Sequence, residues 1–301
     1  MPPGTHRRPA AHQQKQLIRK AQTMKVEPRE YCFPSLLDAF FVLIALFFLE
    51  LITNSIVVQL SYVVGIRPMA AYSIGRVLAY GLVFAIVLHK SKRTYRELFH
   101  EGRVSMPATL GLFSVPVVLL VPGLLLFINV IEAGVVQMFP MGGTLSNPAE
   151  AYRQAGLGAI FLVCIIAPVV EEMLFRGIIL RGFLKQYPPG TAIAHSAAVF
   201  GLAHLNVYQF VAALVIGLIL GKMYERTRSI LPGILLHMVY NTAVVVSSIC
   251  TPDGKEDVSI FELPALWWLV GIACGAAGAF MLHKLIGGGR VVPDPAGLMD
   301  K

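Results

Sequence analysis

Charge is scarce in this sequence. Asp, Glu, Lys and Arg make up 14% of its 301 residues, against about 25% in a soluble domain. That deficit excludes intrinsic disorder, which goes with polar, charge-rich chains. With 56% hydrophobic residues, the chain also lacks the polar side chains that cover a soluble globule. Cysteine is equally sparse. The four residues Cys32, Cys164, Cys250 and Cys274 show neither metal-site nor redox spacing. Three of them lie in apolar runs, where cysteine acts as a small hydrophobe, so no disulfide framework is expected. There is no internal repeat and no long low-complexity segment.

Long apolar stretches are what the sequence does have. A run of about 20 residues crosses a bilayer as a helix. Such runs fall at 36–64, 70–89, 108–131, 155–183, 193–206, 207–224, 230–250 and 264–286. The fifth is short and meets the sixth at His204-Leu205-Asn206, where a tight turn or a re-entrant bend fits. The expectation is an all-α polytopic membrane protein of eight spans, with seven as the alternative. It divides into a basic tail over 1–35, a membrane domain over 36–288 and a short tail over 289–301. The longest external connection, 132–154, has room for a short interfacial helix.

The net charge of +8 raises the question of nucleic acid, and the placement of the charges answers it. With eight spans, 20 of the 25 basic residues fall on one side of the membrane. They occupy the N-terminal tail (Arg7 to Arg29), the second loop (Lys90 to Arg103), the fourth (Arg181, Lys185), the sixth (Lys222, Arg226, Arg228) and the C-terminal end. Only Arg67, Arg153 and Lys255 fall on the other side, while Arg76 and Arg176 lie inside spans. Cytoplasmic loops carry the Lys/Arg excess. Both termini are therefore expected in the cytoplasm, and the partner of the positive charge is the lipid bilayer rather than nucleic acid. The tail has no apolar core after Arg7-Arg8, so a secretory or twin-arginine signal fits it poorly.

Ionisable groups inside hydrocarbon are costly and mark functional candidates. The fourth span holds Glu171, Glu172 and Arg176. Glu172 and Arg176 are i and i+4 and share a face, so they can pair. Glu171 points about 100° away and is expected to lack that partner, leaving it free for chemistry. Pro168 has no N–H and is expected to bend the helix just before the pair. The fifth span carries Phe200 and His204, and the seventh carries His237 and Asn241 on one face. Counting about 1.5 Å per residue from the cytoplasmic ends places Glu171 about 18 Å deep, His204 and Asn241 about 16 Å and His237 about 10 Å. Helices running in different directions thus bring polar groups to similar depth, as a shared buried site requires.

A buried carboxylate can act as general base toward water, and His and Asn can donate to a developing oxyanion. No Ser or Cys stands out as a nucleophile. Glu171, His204 and His237 are also competent ligands for a divalent metal such as zinc, and the same set can activate water without one. Composition and spacing leave the two open. A proton-relay transporter is a competing reading, although the inverted repeats common in transporters are absent. Minor candidates are His195 at the start of the fifth span, Glu50 and Asp38 as partners for Arg76, Asn129 as an interhelical donor, and Trp267-Trp268 as an interfacial anchor.

Three motifs stand in order on these spans: E-E-x-x-x-R at Glu171 to Arg176, F-x-x-x-H at Phe200 to His204, and H-x-x-x-N at His237 to Asn241. Together they resemble the CAAX protease and bacteriocin-processing family of intramembrane proteases. The resemblance implies an endopeptidase with a buried polar cavity open to the cytoplasm, acting on a peptide or protein substrate, lipidated C-terminal tails among them. It makes Glu171 and His204 the water-activating pair, His237 and Asn241 oxyanion stabilisers or further site ligands, and Glu172, Arg176 and Phe200 supporting residues. A non-catalytic membrane scaffold of the same fold is the alternative within the family. The compact loops suggest a prokaryotic plasma membrane.

Overall fold

A computed structural model of the protein describes residues 33–65, 68–91, 94–102, 104–139, 156–250 and 260–287. Most of both tails, residues 140–155 of the external connection, and Arg67, Arg153 and Lys255 lie outside the described residues. Among those described, helix is the only extended secondary structure. The long helices, with one short one between them, are α1 (Leu36–Val64), α2 (Pro68–Ser91), α3 (Tyr95–Phe99), α4 (Met106–Met138) and α5 (Gly156–Gln186). They continue with α6 (Pro189–Leu202), α7 (Val207–Thr227), α8 (Leu231–Cys250) and α9 (Ala265–Gly287). Seven of them are long and apolar enough to cross a membrane, and the chain is a multi-pass membrane protein. The eighth expected span, α6, has 14 residues and is about 21 Å long, short of the hydrocarbon thickness.

The local chemistry explains several boundaries. Ser35 caps α1 in a reciprocal box with Asp38, whose carboxylate accepts from the Ser35 backbone N–H at 2.7 Å, so Asp38 caps this helix and is not a partner of Arg76. Gly65 ends it in the left-handed region at φ 76°, a conformation open to glycine at little steric cost. The Asn206 side chain accepts from the N–H groups of Tyr208 and Gln209 and so starts α7. Asn129 donates to the Leu125 carbonyl of its own helix, rather than to a neighbouring one.

Helices α6 and α7 form an antiparallel hairpin. Cβ atoms added at Gly201, Gly217 and Gly221 would meet Phe210, Ala197 and Ile193 respectively, so the two helices run past each other in opposite directions at close range. Small residues permit such approach where no hydrophobic force drives helices together. The turn between them puts Leu205 at φ 51°, an uncommon conformation for a branched residue. The Tyr208 hydroxyl donates to the carbonyl of Phe139, which follows the last residue of α4. The hairpin leaves and returns to one end of the bundle, so the short length of α6 does not change the alternation of the later loops.

That end is well marked. Arg181 at the close of α5 donates to the Glu97 carbonyl at 3.0 Å and pairs with Glu101. Ile230 N–H, between α7 and α8, donates to the Phe99 carbonyl at 3.1 Å. Gln186 donates to the Pro34 carbonyl at 2.7 Å. The start of α1, the loop after α2, the end of α5 and the turn before α8 therefore share one end, as the grouping of basic loops requires. At the core, α4 packs on α9 where a Cβ at Gly123 would lie 2.7 Å from Gly275 Cα.

Candidate active site

Helix α5 is not a regular helix. Two π-helical stretches, Leu162–Ile166 and Met173–Leu180, flank the α-helical turn Ala167–Glu172. Single-turn π segments often occur at functional sites. The first has a traceable consequence. Ala167 N–H bonds to the Leu162 carbonyl, five residues back. In that register the next carbonyl, Val163, would accept from residue 168, which is proline and has no N–H. Asn241 of α8 fills the gap, donating from Nδ2 to Val163 O at 3.0 Å. Pro168 thus acts by freeing a carbonyl, and Asn241 is committed to it by one of its N–H groups.

The two adjacent carboxylates have different surroundings. Glu172 is fully buried, and its Oε1 accepts from Arg176 Nη1 at 2.6 Å and faces His237 Nδ1 at 3.3 Å. Arg176 is 1% exposed. It also donates to the Gly217 carbonyl of α7 at 3.3 Å and lies with its guanidinium carbon 4.5 Å over the Phe200 ring. Planar stacking and a rigid donor fork suit arginine to such a site. Glu172 Oε2 has no hydrogen-bond partner among the described residues. A Cβ at Gly233 would stand 2.8 Å from it, so α8 needs glycine there to pass the carboxylate.

Glu171 is turned away from the Arg176 contact that Glu172 makes, as helix geometry predicts, but it takes a partner from another helix. Arg76 of α2 donates from Nη2 to Glu171 Oε1 at 3.1 Å, and its Nε lies 3.4 Å from Glu50 Oε1 of α1. Glu171 Oε2 faces His237 Nε2 at 3.8 Å. The sequence carried a signal for Arg76, an arginine inside an apolar helix, but it pointed to Glu50 and Asp38 as partners and not to Glu171.

Both histidines have defined tautomers. A carboxylate or carbonyl oxygen only accepts, so the nitrogen hydrogen-bonded to it carries the proton, whereas His237 Nε2, 3.8 Å from Glu171 Oε2, lies beyond hydrogen-bond distance. His237 Nδ1 faces Glu172 Oε1, which leaves Nε2 directed at Glu171. His204 Nδ1 donates to its own helix's Phe200 carbonyl at 2.9 Å. Phe200 brings the rings together: its centroid is 5.0 Å from that of His204 and 5.7 Å from that of His237, both edge-on. The free Nε2 atoms suit metal ligation, but among the described residues no three His, Cys, Asp or Glu side chains gather closely enough to hold an ion. His195 lies apart, against Tyr187 and Phe183 at 5.1 and 6.2 Å, and Trp267 is exposed at the start of α9.

Residues 153–243, which hold all three motifs, match the family model described as type II CAAX prenyl endopeptidase Rce1-like. That stretch of the chain is similar to the CAAX prenyl endopeptidase domain. Two curated relatives resemble part of this chain. Bacillus subtilis YdiL, named as a candidate membrane peptidase, is 29% identical over 87 residues, covering 29% of this chain and 36% of its own length. Staphylococcus aureus MroQ, named as a membrane-embedded CAAX protease, is 30% identical over 104 residues, covering 32% of this chain and 42% of its own. The chain thus spans well under half the length of these relatives. No solved structure matches it.

Proposed function

We propose that the protein is an intramembrane endopeptidase that hydrolyses a peptide bond with water activated by Glu171 and His237. The observation that supports this most is the facing pair of acceptors, Glu171 Oε2 and His237 Nε2, 3.8 Å apart. The gap is too long for a direct hydrogen bond, and a water donating to either atom is primed for attack. As its oxygen adds to the substrate carbonyl carbon, Glu171 takes a proton, then passes it to the departing amide nitrogen when the tetrahedral intermediate collapses. Glu172 holds His237 in the tautomer that aims Nε2 at this position. His204, against the same Phe200 ring, is assigned to the carbonyl side of the reaction; once protonated, its Nε2 donates to the developing oxyanion. Asn241 has a shared role, since it also supports the π segment beside Glu171.

The substrate class proposed is a membrane-proximal peptide or protein with a C-terminal tail, lipidated tails included. The CAAX protease name of the Staphylococcus aureus relative favours this class. On this reading the substrate enters from the cytoplasmic side, the end where Pro34, residues 94–102, Arg181 and the 227–230 turn meet. The basic loops gather there, which orients it inward. Both relatives are bacterial, in keeping with a prokaryotic plasma membrane.

The deciding experiment compares membranes of cells carrying the wild-type protein and Glu171→Ala, with mass spectrometry of accumulated precursors. Precursors are expected to accumulate with Glu171→Ala and with His204→Ala, both proteins still inserting and folding. Full processing by Glu171→Ala would end this reading. Chelator treatment of the purified protein is expected to leave cleavage intact. Loss of cleavage, with recovery on adding zinc, would replace the carboxylate-only mechanism with a metal-assisted one.

A further inference from the structure

Arg76 belongs to none of the three motifs and lies outside the family match, which begins at residue 153. It nevertheless touches the centre of the site. Its guanidinium joins Glu50 of α1, at 3.4 Å, to Glu171 of α5, at 3.1 Å, and lies 5.8 Å over the buried Tyr80 ring. An arginine in an apolar helix carries a substantial insertion penalty, and one carboxylate would suffice to neutralise it. The second contact lands on the oxygen of Glu171 that does not face His237.

The terminal torsion of a glutamate is broad and roughly two-fold, so a carboxylate held at one end of its side chain alone does not present one oxygen in one direction. A hydrogen bond to one oxygen removes that freedom. We infer that Arg76 is a positioning residue: by holding Oε1 of Glu171 it fixes Oε2 toward His237, and Glu50 holds the guanidinium in place from the far side. This inference rests on the peptidase reading for its kinetic consequence, though the ion pair itself does not depend on turnover. The register of α1 and α2 supports the assignment. One residue before Arg76, the Gly75 carbonyl accepts from Thr53 Oγ1 at 2.8 Å. A Cβ at Gly75 would fall 3.0 Å from Asn54 Cα and closer still to its side chain. The two helices are thus locked together one turn from Glu50, and any slip would move the guanidinium.

The test uses the full-length protein in detergent and a quenched-fluorescent peptide ending in a farnesylated C-a-a-X tail. Arg76→Gln is expected to lower kcat about 100-fold, as a misplacement of roughly 1 Å does, with KM nearly unchanged. Arg76→Lys keeps the charge and is expected to restore part of the loss, because its single ammonium cannot reproduce the fork. Gly75→Ala keeps every charge, disturbs the register and is expected to lower kcat as well. Wild-type kcat in Arg76→Gln, or a change in KM alone, overturns the inference and leaves the peptidase reading standing. A thermal-melting cycle over Arg76→Gln, Glu171→Gln and the double variant reads the pair without catalysis. Non-additive losses are expected, and strictly additive ones overturn the inference whether or not the peptide is cut.

Discussion

Glu171 and Glu172 are neighbours in one helix, yet they belong to two different regions. The Glu172 side is the interior of the bundle, where α5, α7 and α8 meet and the Glu172–Arg176 pair is almost wholly shut off from solvent. The Glu171 side faces α1 and α2, where Arg76 and Glu50 are about a third exposed. Ion pairs of the first kind hold position, because both charges are shut away from water. Those of the second kind keep partial contact with the surroundings through Arg76 and Glu50. The difference comes from the 100° step between adjacent helical residues, which sends two identical side chains into opposite surroundings.

That contrast is broken most severely at Glu171. Glu171→Ala is expected to lower cleavage about a thousandfold, in the range for a lost general base, with a smaller drop in melting temperature than Glu172→Gln gives. If melting collapsed instead, the two carboxylates would have exchanged roles. Next in size is Glu172→Gln. Removing one partner of a buried pair leaves the other charge uncompensated, at about 3–5 kcal/mol, and a marked drop in melting temperature and folded yield is expected. Unchanged melting with lost activity would overturn the division of labour. Asn241→Leu removes the donor to Val163 and is expected to destabilise by about 1 kcal/mol, the scale of polar contacts between membrane helices, read by melting in detergent. Gly233→Ala sharpens the comparison further. It presses a methyl group on the orphaned oxygen of Glu172, and a small loss of stability is expected with the Glu171 chemistry intact.

Local spacing made one half of this comparison legible in the sequence. Four residues separate Glu172 from Arg176, and a helix of any register near 3.6 residues per turn brings them together. The spans were equally legible, since hydropathy over some 20 residues needs no knowledge of neighbours. The other half was not. Arg76 and Glu171 are 95 residues apart, and the sequence alone offered Glu50 and Asp38 as partners with nothing to rank them. Asp38 proved to serve the helix start. The π segments were also out of reach, because they depend on which carbonyls find donors elsewhere. For Val163 that donor lies 78 residues away.

Composition and pattern by themselves determined that this chain lives in a membrane, where its apolar helices lie, and which few ionisable residues must be accounted for inside them. Those properties follow from the cost of burying charge and from helical periodicity, both of which act locally. Tertiary structure alone decided how those residues are shared out. It gave Glu171 a guanidinium from α2, gave His237 a tautomer from Glu172, and gave Asn241 a backbone carbonyl as its partner. A polar group in hydrocarbon takes a partner within reach, and only the packing of the helices decides which groups those are.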